Sequence, residues 1–144
     1  MSTVIRRAEP ADFDPVLQLL SLSNLTTLGL IEDAALVLVA TGDDGVAACA
    51  AIEADGAEAL LRSVAVASSH RGSGLGTKLV ASVEEEARTL GIQRLYLLTT
   101  TAEGFFEKLG YQRVERERLP GVVRASAEFS ACSSAGATAM CRSL

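Results

Sequence analysis

Leu61-Arg62-Ser63-Val64-Ala65-Val66, then Ala67-Ser68-Ser69-His70, then Arg71-Gly72-Ser73-Gly74-Leu75-Gly76-Thr77 is the stretch around which the rest of this chain is organised. It reads as a buried strand, a four-residue bend and a glycine-rich loop. A helix follows over Thr77–Leu90, where Leu79, Val80, Val83, Ala87 and Leu90 recur at steps of three and four and make one apolar face. Glycines at alternate positions let successive N–H groups converge without Cβ obstruction. They do so at a helix N-terminus, where unpaired donors and the helix dipole already favour an anion. The arrangement suits a pyrophosphate. A phosphate loop of the G-x-x-x-x-G-K-[ST] kind would need Lys after its last Gly, and Gly72-x-Gly74-x-Gly76 lacks the second gap of G-x-G-x-x-G.

Working outward, Val4–Arg7 is a first strand and Asp12 caps a helix through Pro15, Val16, Leu19 and Leu20. Ser21–Leu30 is expected to form a second short helix. Ala34–Ala40 and Val46–Glu53 are strands joined by the turn residues Gly42-Asp43-Asp44-Gly45, and Ala59–Val66 follows a turn at Asp55-Gly56. In the long helix Glu84 and Arg88 form an i,i+4 pair on the outer face, and Gly91 stops it. Arg94–Thr99 is a strand, Ala102–Leu109 a helix, Tyr111–Val114 a strand, Pro120–Ser126 a helical turn or two, and Ala137–Leu144 the closing strand. Ser126–Gly136, rich in small residues, reads as an irregular loop. The expected fold is a mixed α/β sheet of about seven strands with about four helices, in a single domain over 1–144.

The 144 residues are 49% hydrophobic and 22% charged, which excludes a disordered chain. Thirteen basic residues against eighteen acidic give a net charge of −5, the wrong sign for a non-specific binder of nucleic acid or anionic membrane. The longest apolar runs fall far short of the roughly 20 residues that span a bilayer, and the N-terminus has no apolar leader. A cytoplasmic location is therefore expected. Cys49, Cys132 and Cys141 have neither disulfide nor zinc spacing; Cys49 and Cys141 lie in apolar strands and read as small hydrophobes, Cys132 lies in a loop, and no metal is expected.

Arg71-x-x-Gly74-x-Gly76 resembles the motif-A loop of the GNAT superfamily of N-acetyltransferases, and Ala102–Tyr111 resembles the family's next motif. Leu97–Thr101 running into Phe105-Phe106 is similar to bacterial enzymes that acetylate α-amino acids, including N-acetylglutamate synthases. The run from Arg62–Val66 through Tyr96–Thr101 to Val123-Arg124-Ala125 and Phe129 is similar to the small arsenic-resistance N-acetyltransferases. The resemblance implies acetyl-coenzyme A as donor, a small amine as acceptor, a splayed strand pair at the cofactor, and a homodimer. It implies that Val64, Ala65 and Val66 pair with the pantetheine amides and that Arg71, Gly72, Ser73, Gly74, Leu75, Gly76 and Thr77 hold the diphosphate. Phe105, Phe106 and Lys108 would flank the other side.

Acyl transfer to an amine needs a neutral nitrogen, a donor to the thioester oxygen and an exit for the thiolate. The resemblance places the oxyanion donor at the N–H of Val64 or Ala65. The family's usual acid, a tyrosine, is Phe106 here, and its usual glutamate is Leu60. A thiol pKa of about 8.5 lets the leaving group depart as thiolate. Glu58 and Glu103 are the remaining candidates for a base, and Tyr111 reads as core. Arg62 interrupts an apolar strand; it is either a bidentate clamp for a substrate carboxylate or a structural ion pair. Thr99, Thr100, Thr101 and Arg124 are further substrate-binding candidates. The expected activity is N-acetylation of an amino acid or a toxic analogue of one, with a metabolic amino-acid acetyltransferase or a non-catalytic acetyl-coenzyme A sensor as alternatives.

Overall fold

A computed structural model describes residues 3–132 and 136–144, with the backbone alone of 130–132. Seven strands, β1 (Val4–Arg7), β2 (Leu36–Gly42), β3 (Gly45–Asp55), β4 (Glu58–Val66), β5 (Arg94–Thr99), β6 (Gln112–Arg113) and β7 (Thr138–Ser143), form one sheet in the order β1-β2-β3-β4-β5-β7-β6. Only the β4–β5 pairing is parallel; the other neighbours are antiparallel. The helices are α1 (Phe13–Leu22), α2 (Leu30–Asp33), α3 (Leu75–Thr89), α4 (Glu103–Lys108), α5 (Gly121–Arg124) and α6 (Ala127–Cys132). The seven strands match the sequence reading; the six helices exceed the roughly four expected, four of them being short segments of four to six residues.

The centre of the sheet is the small-residue strand β3. Ala48, Ala50 and Ile52 face the α3 side while Cys49 and Ala51 face α1, so both helices pack close against alanine-sized side chains. Leu79, Val80, Val83 and Ala87 bury the α3 stripe as its periodicity requires. A third cluster, Leu60, Tyr96, Ala139, Leu119 and Val123, sits under α5.

Four expectations are corrected. Asp12 precedes α1 but does not cap it: its carboxylate takes Arg6 in a two-pronged ion pair at 2.7 and 3.0 Å and the Glu9 N–H at 2.7 Å. The second helix lies at Leu30–Asp33, not over Ser21–Leu30; residues 23–29 between α1 and α2 are a non-helical connection. The irregular stretch expected from Ser126 holds α6. Glu84 is not on the outer face: it is buried and accepts Arg142 Nη1 at 2.8 and 2.9 Å and the Tyr111 hydroxyl at 2.9 Å. Its position one residue after Val83 and three before Ala87 puts it on the apolar stripe, where a carboxylate needs such partners. Tyr111 is core, as expected, and burial with the Glu84 charge holds its hydroxyl pKa above the ordinary tyrosine range. Tyr111→Phe is expected to lower stability by about 1 kcal/mol in urea unfolding, one hydrogen bond's net worth, because Arg142 still satisfies Glu84.

Candidate active site

Pairing of β4 with β5 stops at Leu60–Tyr96. Beyond it β4 keeps only its β3 partner and β5 only its β7 partner, so the two strands part in a wedge. The cause is local. Cys49 pairs with Ala65 and Ala51 with Arg62, so Ser63 and Val64 together stand opposite Ala50, a bulge that turns the strand. Ser63 takes a left-handed φ of 60°, and its carbonyl accepts the Cys49 thiol at 3.3 Å. Burial pushes that thiol's pKa up to about 12.

A cleft of about 910 Å3 opens at the wedge. Val64, Ala65, Val66, Arg71, Gly72, Gly74, Leu75, Gly76, Thr77, Phe105 and Phe106 line it, as do Arg62, Thr99, Thr100 and Thr101. The main-chain N–H groups from Gly72 to Thr77 donate to no acceptor among the described residues; the ladder of α3 starts only with Lys78 N–H to the Gly74 carbonyl at 3.1 Å. Six consecutive free donors stand at the head of a fifteen-residue helix, an arrangement that can accept an anion. Gly72 and Gly74 both sit at φ 81°, a conformation other residues resist. Arg71 folds back so that its Nε donates to the Val66 carbonyl at 3.1 Å, and His70 joins the lining beside it.

Five predicted site residues lie outside the cleft lining. Ser73 turns its hydroxyl to the His70 carbonyl at 2.5 Å, and Lys108 is exposed at the end of α4. Arg124 spends its guanidinium on the carbonyls of Leu119 and Arg116, at 3.0 and 2.6 Å, bracing the segment before α6. Glu103 pairs with Arg113, which holds its carboxyl below the usual range and leaves it a weak base. Glu58 pairs with Arg94 at 3.4 Å, also away from the cleft. The Thr99 hydroxyl is occupied, accepting the Ala102 N–H at 2.9 Å. Neither tyrosine lines the cleft.

Arg62 is the largest fully buried side chain, 1% exposed. Nη1 donates to Glu53 at 2.8 Å and Nε to the Ser63 hydroxyl at 3.0 Å, while Nη2 has no partner among the described residues. The ion pair and a free donor thus coexist on one guanidinium. Sequence reasoning missed the residues gathered around it. Ser126 donates to Glu53 at 2.9 Å and accepts the Glu128 N–H at 3.1 Å, and Glu128 lines the cleft. The missed signal is Ser126 two residues before Glu128: a hydroxyl holding an N–H of the first turn and an acidic residue beside it mark a helix start. Cys49 and Cys141 are free thiols, and the side chain of Cys132 lies outside the described residues. Among the described residues no cluster of metal-ligating side chains and no helix long and apolar enough to cross a membrane is found.

Residues 33–113 match the family described as the acetyltransferase (GNAT) domain. An amino-acid acetyltransferase of Aeromonas salmonicida is 40% identical over 74 residues, half of this chain; the chain spans 17% of that protein's length. The N-acetylglutamate synthase of Neisseria gonorrhoeae, solved with coenzyme A and N-acetylglutamate, superposes with a TM-score of 0.83 over 100% of this chain and 35% of its own, at 22% identity. A GNAT-family acetyltransferase of Staphylococcus aureus superposes with a TM-score of 0.79 over 99% of both chains at 14% identity, a likeness of fold alone.

Proposed function

This chain belongs to the acetyltransferase (GNAT) domain family, and from that premise we propose that it transfers acetyl groups from acetyl-coenzyme A to the α-amine of a small amino acid. The observation that carries the reading is the juxtaposition of six free amides with an unpaired strand edge in one cleft. The residues fit the donor: the Gly72–Thr77 amides hold a diphosphate, the edge of β4 after the bulge hydrogen-bonds an extended amide chain, and Phe105 and Phe106 close the far wall. When bound, the coenzyme supplies an acetyl group activated as a thioester. In this reading the N–H of Val64 or of Ala65, on β4 beyond the point where β5 leaves it, donates to the acyl oxygen. With Phe106 where a tyrosine would serve as acid, the sulfur leaves as thiolate, which its pKa of about 8.5 permits.

The free Nη2 of Arg62 favours an acceptor that carries a carboxylate. The likeness to amino-acid acetyltransferases supports the same class. The finer reading, resting on the similarity of Arg62–Val66 and the Val123–Phe129 tail to arsenic-resistance N-acetyltransferases, is that the acceptor is an arsenic- or phosphorus-containing glutamate analogue. A cytoplasmic homodimer goes with it. Thiol release measured across amino acids, their decarboxylated amines and such analogues tests these together. We expect turnover with α-amino acids and none with the decarboxylated amines. Tight coenzyme binding without thiol release on any amine would overturn the enzymatic reading in favour of a sensor.

A further inference from the structure

Glu128 is 6% exposed, and its Oε2 has no partner among the described residues; Arg62 Nη2 is the other such atom. Both side chains stand on the wall of the same cleft, opposite in charge and not bonded to one another. A buried carboxylate and a buried guanidinium with one free valence each are costly to leave unmatched. A ligand bearing both an ammonium and a carboxylate satisfies them at once. The fold holds the pair deliberately apart: Glu53 takes Arg62 Nη1, Ser126 takes Glu53, and the same Ser126 hydroxyl accepts the Glu128 N–H. At Gly29, a Cβ would meet Asp33 Oδ2 at 3.0 Å, Ala127 Cβ at 3.2 Å and Arg62 Nη1 at 3.6 Å, so α2, α6 and β4 converge where only glycine fits.

We propose that Glu128 receives the acceptor's ammonium group and takes up its proton, with Arg62 Nη2 holding the acceptor's carboxylate, an assignment that rests on the acetyltransferase reading above. Over the reaction the nitrogen loses two protons, one to Glu128 Oε2 and on to solvent, the other ending on the departing sulfur. The N–C bond to the acyl carbon forms as the C–S bond breaks, so ammonium plus thioester gives amide, thiol and one proton, with no change of oxidation state.

The groups facing Glu128 are Arg62 of β4, Glu53 of β3 and the Ser63 N–H, with Asp33 of α2 at the Arg62 end. Burial outweighs Arg62 and raises the carboxyl to about 7. It is therefore a base matched to neutral pH, unlike Glu103. Because the folded chain holds this proton more tightly than the unfolded one, the group's contribution to stability is present below the ordinary glutamate pKa. It is lost as pH rises through about 7.

The test is Glu128→Gln. We expect kcat to fall by about 10²–10⁴-fold with coenzyme affinity, measured by calorimetry, unchanged. The rise in kcat/KM through about pH 7 should vanish, and Glu128→Asp should keep it at reduced rate. Affinity for the amino acid should drop while affinity for its N-acetylated product, which lacks the ammonium, should not. The Gln variant should melt above the wild type at pH 8 and level with it at pH 5. An active wild type whose Glu128→Gln variant keeps its rate, pH profile and amino-acid affinity overturns this inference alone, leaving Glu128 as a packing residue. A wild type that binds the acetylated coenzyme but consumes no amino acid overturns the acetyltransferase reading, and this one with it.

Discussion

Replacing Arg62 by methionine is expected to cost about 3–5 kcal/mol of folding free energy, read as a lower urea midpoint. Methionine keeps an unbranched apolar stem out to the position of Nε and removes the guanidinium beyond it. What it removes is the counter-charge of Glu53, whose side chain is 8% exposed and would keep only the Ser126 hydroxyl. An unpaired carboxylate at that depth is the expensive outcome, whereas removal of both charges is far cheaper. The double variant Glu53→Gln/Arg62→Met is therefore expected to recover most of the loss. Equal midpoints for the single and double variants would contradict the buried-pair account. The double variant also separates structure from binding. It should fold and bind coenzyme normally, yet show an amino-acid KM raised by about tenfold or more, one charge-assisted contact of about 1.5–3 kcal/mol being lost.

Gly76→Val is expected to weaken coenzyme binding by about 100-fold, or about 2.7 kcal/mol, while leaving the fold intact. Gly76 lies in the first turn of α3, where a side chain is no strain on the helix. A Cβ placed there already stands 3.4 Å from Phe105 Cζ and 3.5 Å from Val66 Cγ2. Valine's two further methyl groups have no room between them. They push Phe105 into the cleft or lift the amides out of line. Gly76→Ala, stopping at van der Waals contact, should lose far less. Calorimetry with the acetylated coenzyme decides the matter: a valine variant that binds as the parent does would show that the gap between α3 and Phe105 plays no part in holding the ligand.

The elements that could be read from the sequence are those whose signal is local. The stripe at Leu79, Val80, Val83 and Ala87, the turn Gly42–Gly45 and the glycines before α3 each act within a few residues. Their positions follow from periodicity, φ preference and hydrogen-bond geometry alone. The Gly72–Thr77 run belongs here: main-chain N–H groups need no distant partner to be left free, and these amides do stand free among the described residues. Arg62 was conspicuous for the same reason, a charge in an apolar strand.

Long-range partners were not legible. Glu103 and Glu58 look like free charges in the chain, and each is paired with an arginine that folding brings near, while Arg124 is taken by main-chain carbonyls five and eight residues back. Glu84 gives an outward-facing reading with Arg88 until β7 supplies Arg142. The wall of the cleft at Arg62 is the extreme case, because Ser126 meets Glu53 there from 73 residues along the chain and Glu128 arrives with it.

By itself, then, the chain's order of residues determined the sheet's strands, the main helix and the run of free main-chain amides before it, since those depend on near neighbours and backbone donors. Tertiary structure alone decided which charges face the cleft. A carboxylate's chemistry is set by what buries and pairs it, and at Glu128 those groups come from β3 and β4, far away in the chain.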